Sequence, residues 1–103
     1  MAVVAWTELA RRGFQRIVAT IGRRVSARVA RKWATKLLSA VAKLNDFPEI
    51  GSPVEDFPEA ALRERIVGPY RVVYRYDGIT CHILAVIRAE QDLQRVLPPG
   101  DIE

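Results

Sequence analysis

Arginines recur at strand-like spacing in the C-terminal half of this chain, and they indicate the chemistry it could perform. A guanidinium group binds phosphate or carboxylate through several hydrogen bonds, and it can stabilise the charge that develops when a phosphodiester is cleaved. The arginines concerned are Arg63, Arg65, Arg71, Arg75 and Arg88. They make binding of a phosphate-bearing or carboxylate-rich partner the first hypothesis.

The strongest local signal is the pair Asp77-Gly78, which lies between two β-rich runs and predicts a β-hairpin. A type I′ turn at this pair places Tyr76 opposite Ile79 and, further along, Arg71 opposite Leu84. Side chains then alternate between the two faces of the hairpin, and one face is aromatic and aliphatic. The other face is the expected binding face, and it carries Arg71, Arg75, His82 and Arg88.

A preceding strand over residues 62–67 is expected to carry Arg63 and Arg65 on one face. These two arginines extend the set available to a phosphate-bearing partner. A plainer alternative is that Arg63 and Arg75 only solvate the edge of the sheet. That alternative is weaker for Arg71, because its position in mid-strand would make an unpaired charge costly if it were covered.

The sequence does not contain the residue patterns of other common catalytic and ligand-binding sites. The chain has one cysteine and one histidine, and adjacent strand residues point to opposite faces, so Cys81 and His82 cannot form a nucleophile–base pair. Cys81 is expected in the core, whereas His82 could serve as an acid or base or simply as a surface residue. The sequence contains no metal-ligand spacing and no phosphate-binding loop. Neither a metal nor another cofactor is therefore expected.

The scaffold that must position the arginines is predicted to be α+β. Thr7 and Ser26 are good N-caps for two helices, and Gly22 is expected to end the first of them. The predicted elements are a strand over residues 3–6, a helix over about 8–21, a second helix that begins near Arg24 or at Ser26 and ends near residue 45, a loop over 46–60, and strands over 62–67, 70–76 and 79–88. The expected fold is a small antiparallel sheet packed against an N-terminal helical hairpin, in the order β-α-α-β-β-β. Residues 1–97 should form a single domain, and residues 98–103 a mobile tail.

Basic and acidic residues are concentrated in different predicted elements of the chain. The whole sequence carries 16 basic and 12 acidic residues, a net charge of +4. Residues 11–43 contain ten Lys or Arg and no Asp or Glu, whereas residues 46–59 contain only acidic charges. A charged helix face is usually a solvated surface, but an all-basic one also suits an acidic or phosphate-bearing partner. No apolar run reaches the length of a membrane span, and the single cysteine suits the reducing cytoplasm.

The order of several short motifs resembles the RelE/ParE superfamily, the small toxins of bacterial type II toxin–antitoxin pairs that are often described as plasmid-stabilisation proteins. The resemblance covers nearly the whole chain. The motifs that carry it are Val4-Ala5-Trp6-Thr7, Phe47-Pro48-Glu49-Ile50-Gly51, Leu62-Arg63-Glu64, Tyr70-Arg71-Val72-Val73-Tyr74-Arg75 and Ile83-Leu84-Ala85-Val86-Ile87. It implies a cognate antitoxin protein as partner, a toxin–antitoxin hetero-oligomer, and growth arrest when the toxin is free.

The resemblance implies two activities. RelE-like members cut messenger RNA on the ribosome, and in that reading Arg71 matches the central arginine while Arg63 and Arg65 match a basic pair. ParE-like members instead poison DNA gyrase. Two departures weaken the nuclease reading: Ala89 takes the place of a further catalytic arginine, and no tyrosine follows residue 88. The ParE-like pattern is incomplete as well, because Arg88 and Gln91 replace a histidine and an arginine.

The expectation is therefore a ParE-like toxin that acts by binding gyrase rather than by cleaving nucleic acid. The alternatives are a ribosome-dependent mRNA endonuclease that uses Arg63, Arg65 and Arg71, and an inactive relative that only binds an antitoxin.

Overall fold

The computed structural model describes residues 1–102 of the chain, and it contains five strands and three helices. In chain order these are β1 (Val3–Trp6), α1 (Glu8–Arg24), α2 (Ala27–Ala42), β2 (Ser52–Pro53), β3 (Arg63–Val67), β4 (Tyr70–Tyr76), β5 (Thr80–Arg88) and α3 (Pro99–Ile102). Short 3₁₀ turns follow α2 at Lys43–Asn45 and β5 at Leu93–Arg95. None of the helices in this part of the chain is both long and apolar enough to cross a membrane.

The predicted start of the first helix at Thr7 is confirmed, and of the two starts predicted for the second helix the structure has the one at Ser26. The Thr7 side chain accepts a hydrogen bond from the Ala10 amide, and its hydroxyl donates to the carbonyl of Ile83, so this cap also fastens α1 to β5. Ser26 caps α2 in the same way by accepting from the Val29 amide. The predicted end of α1 at Gly22 is wrong, because the helix continues to Arg24. A glycine weakens a helix without ending it, and the chain turns only at the extended backbone of the Ser26 cap.

The five strands form one sheet in the order β1-β5-β4-β3-β2. Strands β2 to β5 pair antiparallel with one another, and β1 lies parallel to β5 at the edge. The predicted α+β fold with an N-terminal helical hairpin on a small sheet is confirmed. The parallel edge strand makes the sheet mixed, because α1 and α2 carry the chain across the sheet before the hairpin begins.

The sheet is covered on both faces. On the helix-side face, α1 and α2 pack through a core that includes Leu37, Leu44, Tyr74 and Ile83. On the opposite face, called here the far face, a second core joins strand residues to the segments on either side of the strands. Its buried members are Val54, Leu62, Val73, Leu84, Ala85, Ile87, Leu93 and Leu97. The far face is therefore a second packed layer rather than an open polar surface.

The predicted register of the main hairpin is wrong. The two central turn residues are Gly78 and Ile79 instead of Asp77-Gly78, and Gly78 has a φ of +98°, which suits glycine at the first central position of a type II′ turn. Tyr76 therefore pairs with Cys81. A bulge follows, because Val73 pairs with Ala85 while Tyr74 pairs with Ile83, which leaves Leu84 as the extra residue. The bulge reverses the alternation in the second half of β5.

The C-terminal segment folds back on the far face as far as the described residues reach. Arg75 donates a hydrogen bond to the carbonyl of Asp101 in α3, and Ile102 packs against the second core. The mobility of residues 98–103 stays a prediction, and residue 103 lies outside the described part of the chain.

Candidate functional site

The structure divides the predicted arginine face into two sets on opposite sides of the sheet. Arg63 pairs with Tyr74 and Arg65 with Val72, so both arginines share the helix-side face with those core residues. Because of the bulge, Arg88 pairs with Tyr70 and joins the same side. The residues that remain on the far face are Arg71, Arg75 and His82. The expectation of one shared arginine face is therefore wrong, since sheet pairing separates Arg63 and Arg65 from Arg71.

Arg71 is buried in an ion-pair network of its own chain, with only 7% of the residue exposed. Its Nε donates to Glu64 Oε1 and its Nη2 to Asp56 Oδ1, each at 2.7 Å. Burial lowers the pKa of Arg71, but its hydrogen bonds to the two carboxylates outweigh this effect and raise it. The hydrogen bond from Arg71 also lowers the pKa of Asp56. The guanidinium is thus fully charged, and its charge is already satisfied inside the fold.

Arg63 and Arg65 donate hydrogen bonds to backbone carbonyl groups instead of extending into solvent. Arg63 Nη1 donates to the carbonyls of Glu49 and Gly51, at 3.0 and 2.8 Å, and so fastens the loop that precedes β2. Arg65 Nη1 lies 3.5 Å from the carbonyl of Ala40, near the end of α2. Both side chains are half-buried. Their contacts connect β3 to its neighbours in the fold.

His82 is held by the hairpin turn. Its Nε2 lies 3.0 Å from Asp77 Oδ2, while Asp77 Oδ1 accepts hydrogen bonds from the amides of Ile79 and Thr80. The Thr80 amide, His82 and the Ile79 amide together lower the pKa of Asp77 to about 2. On the other face of β5, burial raises the pKa of the Cys81 thiol. The predicted separation of Cys81 from His82 is confirmed, and so is the buried position of Cys81.

A cleft of about 290 Å³ lies between α1 and β5. Its apolar lining includes Leu9, Ile17 and Val86, and its rim carries arginine side chains. Arg88 is one of these, although its Nε also pairs with Glu90. An apolar floor with a basic rim can hold an amphipathic peptide segment that carries acidic groups. Of the predicted binding residues Arg71, Arg75, His82 and Arg88, only Arg88 lines this cleft.

Sequence reasoning missed the partners of Arg71. Glu64 lies on the same face of the sheet as Arg71, because β3 and β4 pair across the connection at Gly68 and Pro69. The alternation along β3 was visible in the sequence and could have identified Glu64. No periodic pattern in the sequence could have identified Asp56, because it contacts Arg71 from an irregular loop.

The structure does not bring the predicted catalytic arginines together in the described residues. Within residues 1–102, no group of His, Cys, Asp and Glu is arranged to hold a metal ion. The three arginines assigned to the nuclease reading, Arg63, Arg65 and Arg71, do not converge on one point, and each contacts its own chain. The arrangement is suited to recognition of another macromolecule.

Comparison with known proteins identifies the family. Residues 4–93 match the family model described as the ParE toxin of the type II toxin–antitoxin system parDE. No curated protein matches the chain significantly. Among solved structures, a chain of the chromosomal ParDE toxin–antitoxin system from P. aeruginosa superimposes with a TM-score of 0.75 at 21% identity, over 87% of this chain and 98% of that one.

A second structure shares the fold more loosely. A chain of the toxin–antitoxin complex RelBE2 from Mycobacterium tuberculosis matches with a TM-score of 0.55 at 24% identity, over 84% of this chain and 96% of that one. The predicted membership of the RelE/ParE superfamily, on the ParE-like side, is confirmed by the family match. This chain belongs to the ParE toxin family of type II toxin–antitoxin systems.

Proposed function

We propose that this ParE-family chain arrests bacterial growth by binding DNA gyrase in the cytoplasm and that a cognate antitoxin neutralises it. The buried position of Arg71 is the observation that favours gyrase over RNA as the proposed target. Its guanidinium is buried between Glu64 and Asp56, so it is a structural ion-pair member rather than a group offered to RNA. With the nuclease chemistry disfavoured, gyrase binding is the remaining activity that the family resemblance implies.

The mRNA endonuclease is less well supported by the geometry. A nuclease needs cations that converge on the scissile phosphate, and on β3 the charged residue that shares the face of Arg71 is the acidic Glu64. Arg63 and Arg65 extend from the other face. Loss of one group that stabilises a transition state typically slows catalysis by about 10²–10³. A site that lacks several such groups would cleave too slowly to arrest translation.

The antitoxin is the second proposed partner. The ParDE and RelBE2 structures that share this fold come from toxin–antitoxin systems, which supports a protein partner of the same kind here. The cleft between α1 and β5 suits an amphipathic segment of that partner, because its floor is apolar and its rim is basic. A Leu9→Glu substitution on its exposed margin should weaken antitoxin binding through repulsion of acidic groups, measured by calorimetry with the purified pair.

Induced expression in bacteria tests the function directly. The proposal predicts growth arrest with DNA breaks, induction of the SOS response and intact transcripts. Cuts at codon-defined positions in translated messages would support the endonuclease instead. Unaffected growth would mean an inactive relative that only binds the antitoxin. Coexpression with the acidic or DNA-binding product of the neighbouring gene should restore growth if that gene encodes the antitoxin.

A further inference from the structure

The charge of the molecule is concentrated on its helical layer. Residues 11–43 carry ten basic and no acidic side chains, whereas the rest of the chain carries six basic and twelve acidic ones. The net charge of +4 is therefore the sum of +10 on this segment and −6 elsewhere. All ten of these basic side chains are exposed. Two of the ten, Arg12 and Arg16, line the cleft proposed for the antitoxin, and the proposals made above give no role to the other eight.

Helical geometry gathers the cations into two parallel stripes. In α1, Arg12, Arg16 and Arg23 are separated by four and seven residues, so they lie along one side of the helix. The distance from the first to the last is about 16 Å. In α2, Arg28, Lys32 and Lys36 recur every four residues over about 12 Å. Both stripes lie opposite the apolar stripes that face the sheet, except for Lys36, whose ammonium lies 4.9 Å from the centre of the Trp33 ring at the side of α2. They therefore share the outer face of the helical layer, here called the basic face.

Most of these cations have no internal counter-charge. Glu8 pairs with Arg11 and Arg12 at the start of α1. Among the described residues, no carboxylate lies within ion-pair distance of Arg16, Arg23 or the basic residues of α2. The first turn of α2 also lacks an acidic residue, although the positive end of the helix dipole lies there. The basic face thus carries an unbalanced positive field.

The residues between the cations indicate the class of partner. Most residues on the outward lines are small or polar, with Gln15 and Ala19 in α1 and Thr35 and Ser39 in α2. The exposed large apolar side chains of the helical layer are Leu9, Val25 and Leu38, which lie far apart along the chain. A protein partner needs apolar or aromatic anchors at the centre of the interface, and a membrane surface needs an exposed apolar face. The main apolar stripes of both helices pack against the sheet, which leaves single exposed apolar side chains rather than a continuous apolar patch. Interfaces with DNA are polar and strongly positive instead.

We infer that the basic face binds the phosphate backbone of duplex DNA, independently of base sequence. Neighbouring helices pack about 8–10 Å apart, so the two stripes form a positive surface at least about 16 Å long and 10 Å wide. Duplex DNA presents one phosphate charge per about 1.7 Å of its axis, which is dense enough to meet five or more of these side chains at once. The inference concerns DNA itself and does not depend on gyrase as the target.

The test measures binding of the full chain to a fluorescein-labelled 24-base-pair duplex of arbitrary sequence by fluorescence anisotropy at several salt concentrations. With about five phosphate contacts, the logarithm of the binding constant should fall against the logarithm of salt concentration with a slope of about −4 to −5. The double variant R23Q/R28Q should bind at least about tenfold more weakly at about 50 mM salt. Its salt slope should be about 2 smaller in magnitude.

The matched control is R95E, which changes the net charge by the same two units. Arg95 lies outside the helical layer, and its side chain is 88% exposed. R95E should keep the affinity and the salt slope of the original chain, and circular dichroism should show that both variants are folded. Equal losses in R23Q/R28Q and R95E would overturn the inference. So would the absence of DNA binding, or equal affinity for polyglutamate or for vesicles of anionic lipid.

Discussion

Arg71 shows how one residue can change role when its surroundings change. A guanidinium taken out of water is stable only if carboxylates replace its hydration, and Glu64 and Asp56 do so at 2.7 Å each. Removing one member of such a buried network leaves the other charges without compensation. The residue that sequence resemblance identifies as the centre of a nuclease site is therefore expected to matter mainly for stability.

Arg71→Ala should lower the free energy of unfolding by about 3–5 kcal/mol, because it leaves two carboxylates unpaired in a covered site. The triple variant R71M/D56N/E64Q removes all three charges together and should recover most of that loss. Urea denaturation followed by circular dichroism measures both values. An Arg71→Ala chain as stable as the original would contradict the structural role given to this network.

Asp77 makes the hairpin turn sensitive to acid. Amide hydrogen bonds and His82 lower the pKa of Asp77 in the folded chain to about 2 from an ordinary value of 3.8. The carboxylate therefore stabilises the fold fully above about pH 4, and this contribution is lost as the pH falls towards 2. Asp77→Asn keeps an oxygen for the amides but has no charge to lose.

The difference in melting temperature between the original chain and Asp77→Asn should therefore shrink as the pH falls from 5 to 2. Melting curves at half-unit steps of pH measure this difference. A constant difference over the whole range would show that the charge of Asp77 does not stabilise the turn.

At the scale of elements, helix α1 lies unusually close to the sheet. A Cβ at Gly13 would come within 2.4 Å of the Val86 carbonyl oxygen in β5, whereas a Cβ at Gly22 would meet only the Ala30 Cβ, at 3.9 Å. Both glycines lie within the same helix. The close approach at Gly13 lets α1 lie directly on β5, and this packing forms one wall of the cleft.

The same substitution should have opposite effects at these two positions. Gly22→Ala should stabilise the chain by about 0.5–1 kcal/mol through helix propensity alone. Gly13→Ala gains the same propensity but should be destabilising overall, because the backbone of β5 cannot move aside easily. Thermal melting of the two variants compares them directly. Stabilisation by Gly13→Ala would show that α1 and β5 separate at little cost.

The elements also show what the sequence alone could predict. Helix starts were predictable because Thr7 and Ser26 act on amides only three residues away. The register of the hairpin was not, because the chain turns at Gly78-Ile79 instead of the favoured Asp77-Gly78 and a bulge at Leu84 then shifts the pairing again. Asp56 reaches Arg71 from a distant loop, which no periodicity reveals. The fold was therefore accessible from the sequence, but the division of the arginines between two faces was not.

At the scale of the whole molecule, the two layers carry opposite charge. The helical layer is strongly basic, whereas the remainder of the chain is acidic overall. Such a molecule approaches a negatively charged partner with its helices first, and the effect weakens as salt screens the field.

We propose that this toxin acts on gyrase and that Arg71 takes no part in cleaving RNA. The most direct measurement adds the folded R71M/D56N/E64Q variant and the original chain to purified gyrase with plasmid DNA, and to a translation reaction with labelled message. The account predicts that both proteins cause gyrase-dependent DNA cleavage or loss of supercoiling and that the message stays intact. Undisturbed gyrase, together with a message cut by the original chain and left whole by the variant, would contradict it.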